Sequence, residues 1–342
     1  MTVELYRYTI PLARPLILRR ATLHERRGFL IRLAGNGSEG WGEASPLAGF
    51  SRESEEEVLR CLIKIREDGV PTGNSRAELP SNVRFAIDSA ELELEAATKN
   101  TSAAEVLYVN PAARIELNGL VTETGLNAVH EAERLLGKGF NTLKVKVGSI
   151  SVENDIRTID SLSEILPQNG ILRLDANQAW SFEQALHFLK HVDGSRIEYL
   201  EEPLADVSRL EELADRTQTP IALDESLVAM TPADLERCAY AAAVVLKPSL
   251  GGGVAWAREM IETALDLGIM PVLSSAFESG IGMRMHVALA SGCQGSVAGL
   301  STYKWLADDV FTERLPMDGP EVNIVDALTP CPVDFAKLER VA

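Results

Sequence analysis

From residue 113 onward the chain repeats one pattern, in which a short apolar run ends in a polar cluster and a helical stretch follows. Five run ends, separated in turn by 29, 26, 23 and 23 residues, are marked by Lys146, Asp175, Glu201, Asp224 and Lys247. Each interval has the length of one strand, one helix and their loops. Repeated strand and helix units with almost continuously apolar strands predict a parallel sheet that is covered by helices.

The repeat favours a closed (β/α) barrel over an open doubly wound sheet, because residues suited to chemistry end several consecutive strands. Two further segments, RIELNGLV and SVAGLS, bring the number of strands to about eight. A dinucleotide-binding sheet would need G-x-G-x-x-G between the first strand of the repeat and its helix, and that position lacks the motif. We therefore predict a modified (β/α) TIM-type barrel over residues 109–308.

The part of the chain before this repeat has a different pattern. VELYRYTIPL and FLIRLAGNGSEGWGEA are typical of antiparallel strands with glycine-rich turns. SEEEVLRCLIKI opens with Ser54 and Glu57 at the spacing of a capping box, and NVRFAIDSAELELEAATK carries an apolar stripe at helical spacing. We assign residues 1–108 to a separate α+β domain, and we expect residues 309–342 to return to it.

The composition, with 46% hydrophobic residues and a net charge of −17, is that of a globular protein that repels nucleic acid and anionic membranes. The first residues lack the basic and apolar blocks of a signal peptide, and no apolar run approaches the roughly 20 residues that span a bilayer. The four cysteines are far apart and form no C-x-x-C pair. We predict a cytoplasmic protein whose partner is a small anionic molecule, and its oligomeric state stays open.

The marked residues are expected to form one site, because the C-terminal ends of all strands of a parallel barrel gather at one mouth. Asp175, Glu201 and Asp224 end three successive strands, and three carboxylates in one mouth repel each other unless a cation lies among them. Oxygen ligands without His or Cys select Mg²⁺, or Mn²⁺ in its place. Each acid taken singly could equally cap a loop, so the metal site is predicted from the set.

Lysines flank the acids on both sides, Lys146 on the strand before them and Lys247 on the strand after them. Lys144 shares a strand face with Lys146, which is a costly position for two cations unless anions lie close by. Two amines that face each other across a divalent cation suit the removal of a proton next to a carboxylate. A lysine can serve as the base only where neighbouring positive charge favours its neutral form.

Five run ends, LKVKVG, LRLDAN, LEEP, ALDES and VVLKPS, resemble in this order the enolase superfamily, in the branch that uses a K-x-K lysine and a facing lysine. Further stretches, among them GWGEASPLAGFSRES over residues 40–54, KPSLGGG and SSAFESGIG, are similar to the o-succinylbenzoate synthase family of menaquinone biosynthesis. The resemblance spans roughly residues 28–300. It implies an enolase-like fold, in which the α+β domain caps the mouth of the barrel.

By this resemblance Lys146 is the base and then the acid of the reaction. Lys247 is the facing cation that stabilises an enediolate. The resemblance also makes Asp175, Glu201 and Asp224 the metal ligands, and for the Glu-Glu pair of LEEP it selects the first member.

Supporting roles are implied for Lys144, Arg173 and Asn177. Arg173 lies two residues before Asp175 and is expected to orient that ligand from the same side of the strand. A loop that closes over the substrate belongs in residues 15–27, where no single residue is matched. The residues expected around the succinyl tail of a substrate are Phe50, Ser274, Ser275 and Ser279.

The implied reaction is a metal-dependent syn elimination of water from 2-succinyl-6-hydroxy-2,4-cyclohexadiene-1-carboxylate, which gives o-succinylbenzoate and would make the chain a hydro-lyase. The nearest alternative is an N-succinylamino acid racemase, or a related epimerase with the same two lysines. A Schiff-base aldolase would leave the three acids without a role. A non-catalytic binding protein would not need the complete set of lysines and acids.

Two other motifs allow weaker interpretations. His187 and His191 are four residues apart on an expected helix, a spacing that can bind zinc, but the helices of a barrel lie outside its ring. The glycines at 251–253 could hold a phosphate at a helix N-terminus, although a turn that lets a substrate approach the backbone is favoured.

Overall fold

The computed structural model describes residues 1–18 and 22–341. An antiparallel sheet with helices packed against it forms the N-terminal domain, and a parallel sheet forms the second domain. The elements of the N-terminal domain are β1 (Thr2–Ile17), β2 (Thr22–Gly35), β3 (Ser38–Ala44), α1 (Glu55–Asp68), α2 (Asn74–Ala77), α3 (Ser81–Lys99) and α4 (Ala103–Leu107).

Strands and helices alternate along most of the second domain. None of the helices in the described ranges is long and apolar enough to cross a membrane. The elements that follow α4 are β4 (Arg114–Glu116), β5 (Gly119–Val121), α5 (Gly125–Leu136), β6 (Thr142–Lys146), α6 (Val152–Ile165), β7 (Ile171–Asp175), α7 (Phe182–His191), β8 (Ile197–Glu201), α8 (Leu210–Asp215), β9 (Ile221–Leu223), β10 (Ala243–Leu246), α9 (Pro248–Gly251), α10 (Gly253–Asp266), β11 (Met270–Leu273), α11 (Gly280–Ala290), β12 (Glu321–Asn323), α12 (Ile324–Leu328) and β13 (Leu338–Arg340). Short 3₁₀ helices cover Gly194–Arg196, Val207–Arg209, Glu225–Ala229, Pro232–Cys238, Ser301–Trp305 and Phe335–Lys337.

The antiparallel sheet has the strand order β13, β1, β2, β3, so the end of the chain lies beside its beginning. Alternation along the strands turns Leu5, Ile31 and Leu33 toward α1 and α3, where they form an apolar core with the helices. At Gly42 a Cβ atom would lie 1.8 Å from the carbonyl oxygen of Ala86, so glycine allows α3 to pack directly on the sheet. The capping box predicted at the start of α1 is present.

The parallel sheet follows the chain in the order β5, β6, β7, β8, β9, β10, β11. The segment SVAGLS closes the ring through two parallel bridges, from Ala298 to Leu117 and from Gly299 to Ser274. It contributes these bridges instead of the full eighth strand that the sequence suggested. The prediction of a modified (β/α) barrel with an α+β capping domain is confirmed.

Side chains of the capping domain, among them Asp88, Glu43 and Arg26, bind main-chain groups of the barrel domain. Asp88 of α3 accepts hydrogen bonds from the first N–H groups of α10, at 2.8 and 3.2 Å. Glu43 of β3 accepts two from the start of α11, both at 2.9 Å. Helix N-termini carry unpaired N–H groups and partial positive charge, so each carboxylate caps a helix of the other domain. Arg26 of β2 reaches the carbonyl oxygen of Phe277, and we call Arg26, Glu43 and Asp88 the domain seam.

Candidate active site

The ends of consecutive barrel strands lie side by side at one mouth. Lys146 pairs in register with Asp175, and Asp175 pairs with Glu201. Asp224 follows β9 directly and Lys247 follows β10, so the same layer of charged residues continues around the ring. The structure thus brings together the five residues that mark the sequence repeat.

The two lysines of β6 have different environments. The side chain of Lys144 is 13% exposed, and its Nζ lies 2.7 Å from both carboxylate oxygens of Glu201 and 3.0 Å from Asp175. Burial opposes this positive charge, but the carboxylates of Asp175 and Glu201 raise the pKa of Lys144 well above its usual range. The side chain of Lys146 is 44% exposed, and its Nζ lies 3.5 Å from Asp175. Lys144 is therefore a buried counter-ion, and Lys146 is the amine that a bound molecule can reach.

Lys247 provides the third ammonium group of the mouth. Its Nζ donates to Oδ2 of Asp224, and its side chain is largely buried. Strand β10 is four strands away from β6 in the sheet. In a closed ring of this size that separation places Lys247 across the mouth from Lys146.

Glu202 positions the loop that carries Asp224. This glutamate is fully buried, and it accepts hydrogen bonds from the N–H groups of Asp224 at 3.0 Å and of Ser226 at 2.8 Å. The hydroxyl of Ser226 and the amide of Gln178 donate to its other oxygen. Sequence analysis missed this role, although the second acid of LEEP was the available signal.

Asn177 links several of the charged groups. Its Oδ1 accepts a hydrogen bond from Lys146, its N–H lies 3.2 Å from Asp175, and its Nδ2 donates to Glu225 at 2.9 Å. The φ angles of Asn177 and Glu202 are 44° and 40°, a left-handed conformation that is uncommon outside glycine. Such a backbone conformation persists where the surrounding contacts stabilise it, and it is frequent at functional sites.

The three acids expected to bind a metal are Asp175, Glu201 and Asp224, and all are buried. In the described residues no three acid, His or Cys side chains converge as a metal-ligand cluster, because each acid is turned toward a lysine. Burial opposes ionisation of Asp175, but Lys144 and the other lysines hold its pKa below the usual range. Burial and the charge of Asp175 raise the pKa of Glu201 well above its usual range. The mouth therefore gathers three buried carboxylates on neighbouring strand ends, and this set of hard oxygen donors fits a divalent cation.

Arg173 differs from its expected role. Its Nε donates to Glu198 at 2.5 Å, its Nη1 donates to the carbonyl oxygen of Val297 at 2.6 Å, and its guanidinium lies over the ring of Tyr199. These partners belong to β8 and to SVAGLS, residues 296–301, which closes the ring. Within the described residues, Arg173 donates no hydrogen bond to Asp175. A residue two positions before the end of a strand lies one layer deeper in the barrel, so Arg173 braces the ring below the mouth.

The residues expected around a substrate tail lie in two loops. Phe50, in the loop after β3, is half-buried among apolar side chains. The hydroxyl groups of Ser274 and Ser275 both donate to the main-chain carbonyl of Gly299, each at 3.3 Å. Ser279 is the N-cap of α11, and both its N–H and its hydroxyl donate to Glu43. The polar groups of Ser279 thus bind the start of α11 to Glu43 of the capping domain.

The segment expected as a closing loop, residues 15–27, is mostly a hairpin of β1 and β2, and residues 19–21 lie outside the described residues. Arg14 on this hairpin stacks at 4.0 Å on the ring of Trp305 and donates to Thr122 at 3.2 Å. The hairpin therefore lies against loops at the mouth of the barrel. Its apolar side chains join what we call the roof cluster, which comprises Leu12, Leu16, Leu18, Leu23, Leu47, Phe50, Leu250, Ala276, Phe277 and Trp305.

The two weaker motifs have structural explanations. His187 and His191 lie on the exposed face of α7, and Nδ1 of His191 is 2.8 Å from the carbonyl oxygen of His187. The N-terminus of α10 is capped by Asp88, so the phosphate interpretation of residues 251–253 is not supported. A Cβ on either of the first two glycines would lie within 2.6 Å of Trp256, so these glycines allow close packing.

Comparison with known proteins agrees with this fold. A family model described as "Enolase C-terminal domain-like" matches residues 127–328, and a model described as "MenC, N-terminal domain" matches residues 1–94. The fold and the site thus define a two-domain protein of the enolase superfamily. The chain is 34% identical over 308 residues to the o-succinylbenzoate synthase of Yersinia pseudotuberculosis serotype I (strain IP32953), which covers 88% of this chain and 90% of that protein. The chain belongs to the o-succinylbenzoate synthase family.

Solved structures resemble the chain over nearly its whole length. The o-succinylbenzoate synthase from Thermosynechococcus elongatus BP-1, with Mg in its active site, has a TM-score of 0.73 and 26% identity, covering 91% of this chain and 96% of its own. The L-Ala-D/L-Glu epimerase from Bacillus subtilis has a TM-score of 0.85 and 21% identity, with full coverage of both chains. An N-succinyl Arg/Lys racemase from Bacillus cereus ATCC 14579 has a TM-score of 0.80 and 18% identity, covering 99% of this chain and 95% of its own. At these lower identities the likeness shows the shared fold alone.

Proposed function

We propose that the chain is a hydro-lyase that converts 2-succinyl-6-hydroxy-2,4-cyclohexadiene-1-carboxylate to o-succinylbenzoate, a step of menaquinone biosynthesis, through an enediolate. The observation that carries this proposal is a pair of amines on opposite sides of one mouth. Lys146 is accessible beside buried carboxylates, and Lys247 lies four strands away. The 34% identity to o-succinylbenzoate synthase supports this substrate over those of the racemases and epimerases that share the fold.

Lys146 removes the proton from the ring carbon next to the carboxylate. Its hydrogen bond to Asn177 and its proximity to Asp175 hold the amine at the mouth without burying it. The electron pair of the broken C–H bond moves toward the carboxylate and then expels the hydroxyl group from the neighbouring ring carbon. The same amine returns its proton to the departing hydroxide, since a syn elimination releases both from one face.

The other two lysines provide fixed positive charge. Lys247 stays protonated on the opposite side of the mouth, where it stabilises the negative charge that develops on the enediolate. Lys144 keeps Asp175 and Glu201 in place through contacts of 2.7 to 3.0 Å. Together the lysines give an anionic substrate the local positive charge that a chain with a net charge of −17 otherwise lacks.

Asp175, Glu201 and Asp224 would hold the divalent cation, Mg²⁺ or Mn²⁺. When bound there, the cation supplies positive charge to the substrate carboxylate, which makes the adjacent C–H group more acidic. Their buried oxygen donors and the support of Asp224 by Glu202 fit this role.

The test is turnover of the cyclohexadiene carboxylate, followed by ultraviolet absorbance with Mg²⁺ and with EDTA, in the intact chain and in Lys146→Ala. We expect rapid dehydration that requires both the cation and Lys146. Exchange of the α-proton of N-succinyl amino acids is measured in D₂O alongside. Exchange without dehydration would overturn the substrate and make the enzyme a racemase, whereas loss of neither activity in Lys146→Ala would overturn the two-lysine mechanism.

A further inference from the structure

One buried arginine joins the two loops that are expected to surround the tail of the substrate. The capping loop, residues 45–51, follows β3 and carries Phe50, and the barrel loop, residues 274–279, follows β11. Arg26 of β2 lies between them and is only 3% exposed.

The guanidinium of Arg26 donates to main-chain carbonyl oxygens in both loops. In the capping loop the acceptors are Ser45 at 2.7 Å and Pro46 at 3.1 Å. In the barrel loop they are Phe277 at 3.0 Å and Ala276 at 3.5 Å. A guanidinium presents its donors in one rigid plane, so these bonds fix the separation and the relative orientation of the loops.

This use of a buried charge costs more than an apolar contact would. Burying a cation is unfavourable unless its donors are satisfied, and the partners of Arg26 are neutral carbonyl groups. An apolar residue of similar volume would fill the space at lower cost. The arrangement is therefore explained better by the alignment that it imposes on the loops than by stability alone.

The backbone at Phe277 provides a second observation. Its φ angle is 65°, a left-handed conformation that is rare for an aromatic residue and that persists only where neighbouring contacts hold it. Its carbonyl oxygen accepts the hydrogen bond from Nε of Arg26, and the N–H of Ala276 donates to Glu278 at 2.6 Å. Leu47 of the capping loop packs with Ala276 and Phe277 in the roof cluster, so the two loops meet where Arg26 joins them.

We propose that Arg26 is a positioning residue that shapes the pocket for the part of the substrate remote from the reacting carbon. It holds the capping loop against the barrel loop, and it does not touch the reacting atoms. This inference rests on the proposed function and on the expectation from the sequence that Phe50, Ser274 and Ser275 lie around the succinyl tail.

The test compares Arg26→Met and Arg26→Lys with the unaltered enzyme, using steady-state kinetics and hydrogen exchange of the Mg²⁺-loaded protein. Loss of a contact that is equally strong in the ground state and the transition state raises KM alone, and the proposed pocket makes contacts of this kind, so for Arg26→Met we expect KM to rise about tenfold with little change in kcat. Amide exchange should accelerate in residues 45–51 and 274–279 and stay unchanged in β6, β7 and β8. Lysine keeps the charge with fewer donors, so Arg26→Lys should give intermediate values.

Arg340→Met is the matched control. The side chain of Arg340, on the edge strand β13 of the capping sheet, is 69% exposed and pairs with Glu4, so KM and loop exchange should stay unchanged. Unchanged exchange of both loops in Arg26→Met would overturn the proposal. A fall in kcat and melting temperature at constant KM would also overturn it, because that result indicates a purely structural role. If the unaltered enzyme does not dehydrate the substrate, the proposed function fails, and the exchange measurement still decides whether Arg26 positions the loops.

Discussion

The barrel mouth and the domain seam both bury charged side chains, but they neutralise them differently. In the mouth, ammonium groups face carboxylates, as Lys144 faces Asp175 and Glu201. In the seam, Glu43 and Asp88 accept hydrogen bonds from main-chain N–H groups of the barrel domain, and Arg26 donates to main-chain carbonyls. Asp88 also pairs with Arg76 of its own domain, and Glu43 also accepts from the hydroxyl of Ser279.

This difference between side-chain and main-chain partners indicates what each region is suited to do. Two side chains that neutralise each other can change partners when an anion or a cation arrives, because only rotamers must move. A side chain that binds main-chain groups can change partners only if a helix or a loop moves with it. The mouth is therefore suited to chemistry and the seam to alignment, and substitutions should separate these roles.

The largest effect is expected from Lys146→Ala. Removal of the base should lower kcat by at least about 10³-fold, within the range for a lost general acid and base, while the melting temperature stays unchanged. Steady-state kinetics and thermal unfolding check both parts. Lys190→Ala, at an exposed position of α7, is the control and should keep full activity. Substantial turnover by Lys146→Ala would show that another group is the base.

Asp224→Asn should have the next largest effect. Replacing a charged oxygen ligand with a neutral amide should weaken Mg²⁺ binding by at least about tenfold, and activity should recover in part at high Mg²⁺. Isothermal titration calorimetry with Mg²⁺ measures the affinity. Asp234→Asn, which changes a half-buried capping-box residue in the first turn of a 3₁₀ helix, serves as the control. An unchanged affinity would remove Asp224 from the ligand set.

Glu43→Gln should affect the seam and spare the mouth. The carboxylate of Glu43 now accepts hydrogen bonds from two N–H groups at the start of α11. The NH₂ group of glutamine would face one of these donors and leave it unpaired, so we expect a loss of about 2 kcal/mol in the free energy of unfolding. Denaturant unfolding measures this loss, and kcat should change little. Glu39→Gln on the exposed part of β3 should cost less than about 0.5 kcal/mol. A large loss of kcat with normal stability would contradict the separation of the two regions.

Asp88→Asn should give the smallest effect. Asparagine can still accept hydrogen bonds from the start of α10, but it loses the charge that favours a helix N-terminus and the pairing with Arg76 at 2.5 Å. We expect a loss of about 1 kcal/mol in the free energy of unfolding, measured by the same method. A loss as large as that of Glu43→Gln would show that charge, and not the number of hydrogen bonds, dominates the seam.

Much of the barrel could be predicted from the sequence, because its signals are periodic. Strand ends recur at intervals of 23 to 29 residues, and each carries the residue type that its position in the mouth requires. The seam had no such signal. Arg26 and Phe277 are 251 residues apart, and the acceptors of Arg26 are main-chain groups that any residue could provide. The partner expected for Arg173 differs from the observed one for a related reason. Strand spacing predicts the face of the strand on which a side chain lies, but not the partner that it meets across the ring.

By itself the sequence determined the capped barrel, the family and the layer in which the lysines and acids meet, because these follow from a repeated strand and helix unit with charged residues at its ends. Tertiary structure alone decided that Lys144 is buried while Lys146 is accessible, that Glu202 supports the loop of Asp224, and which groups join the domains. The physical reason is that depth below the mouth and main-chain partners arise only when the ring closes and the capping domain packs against it.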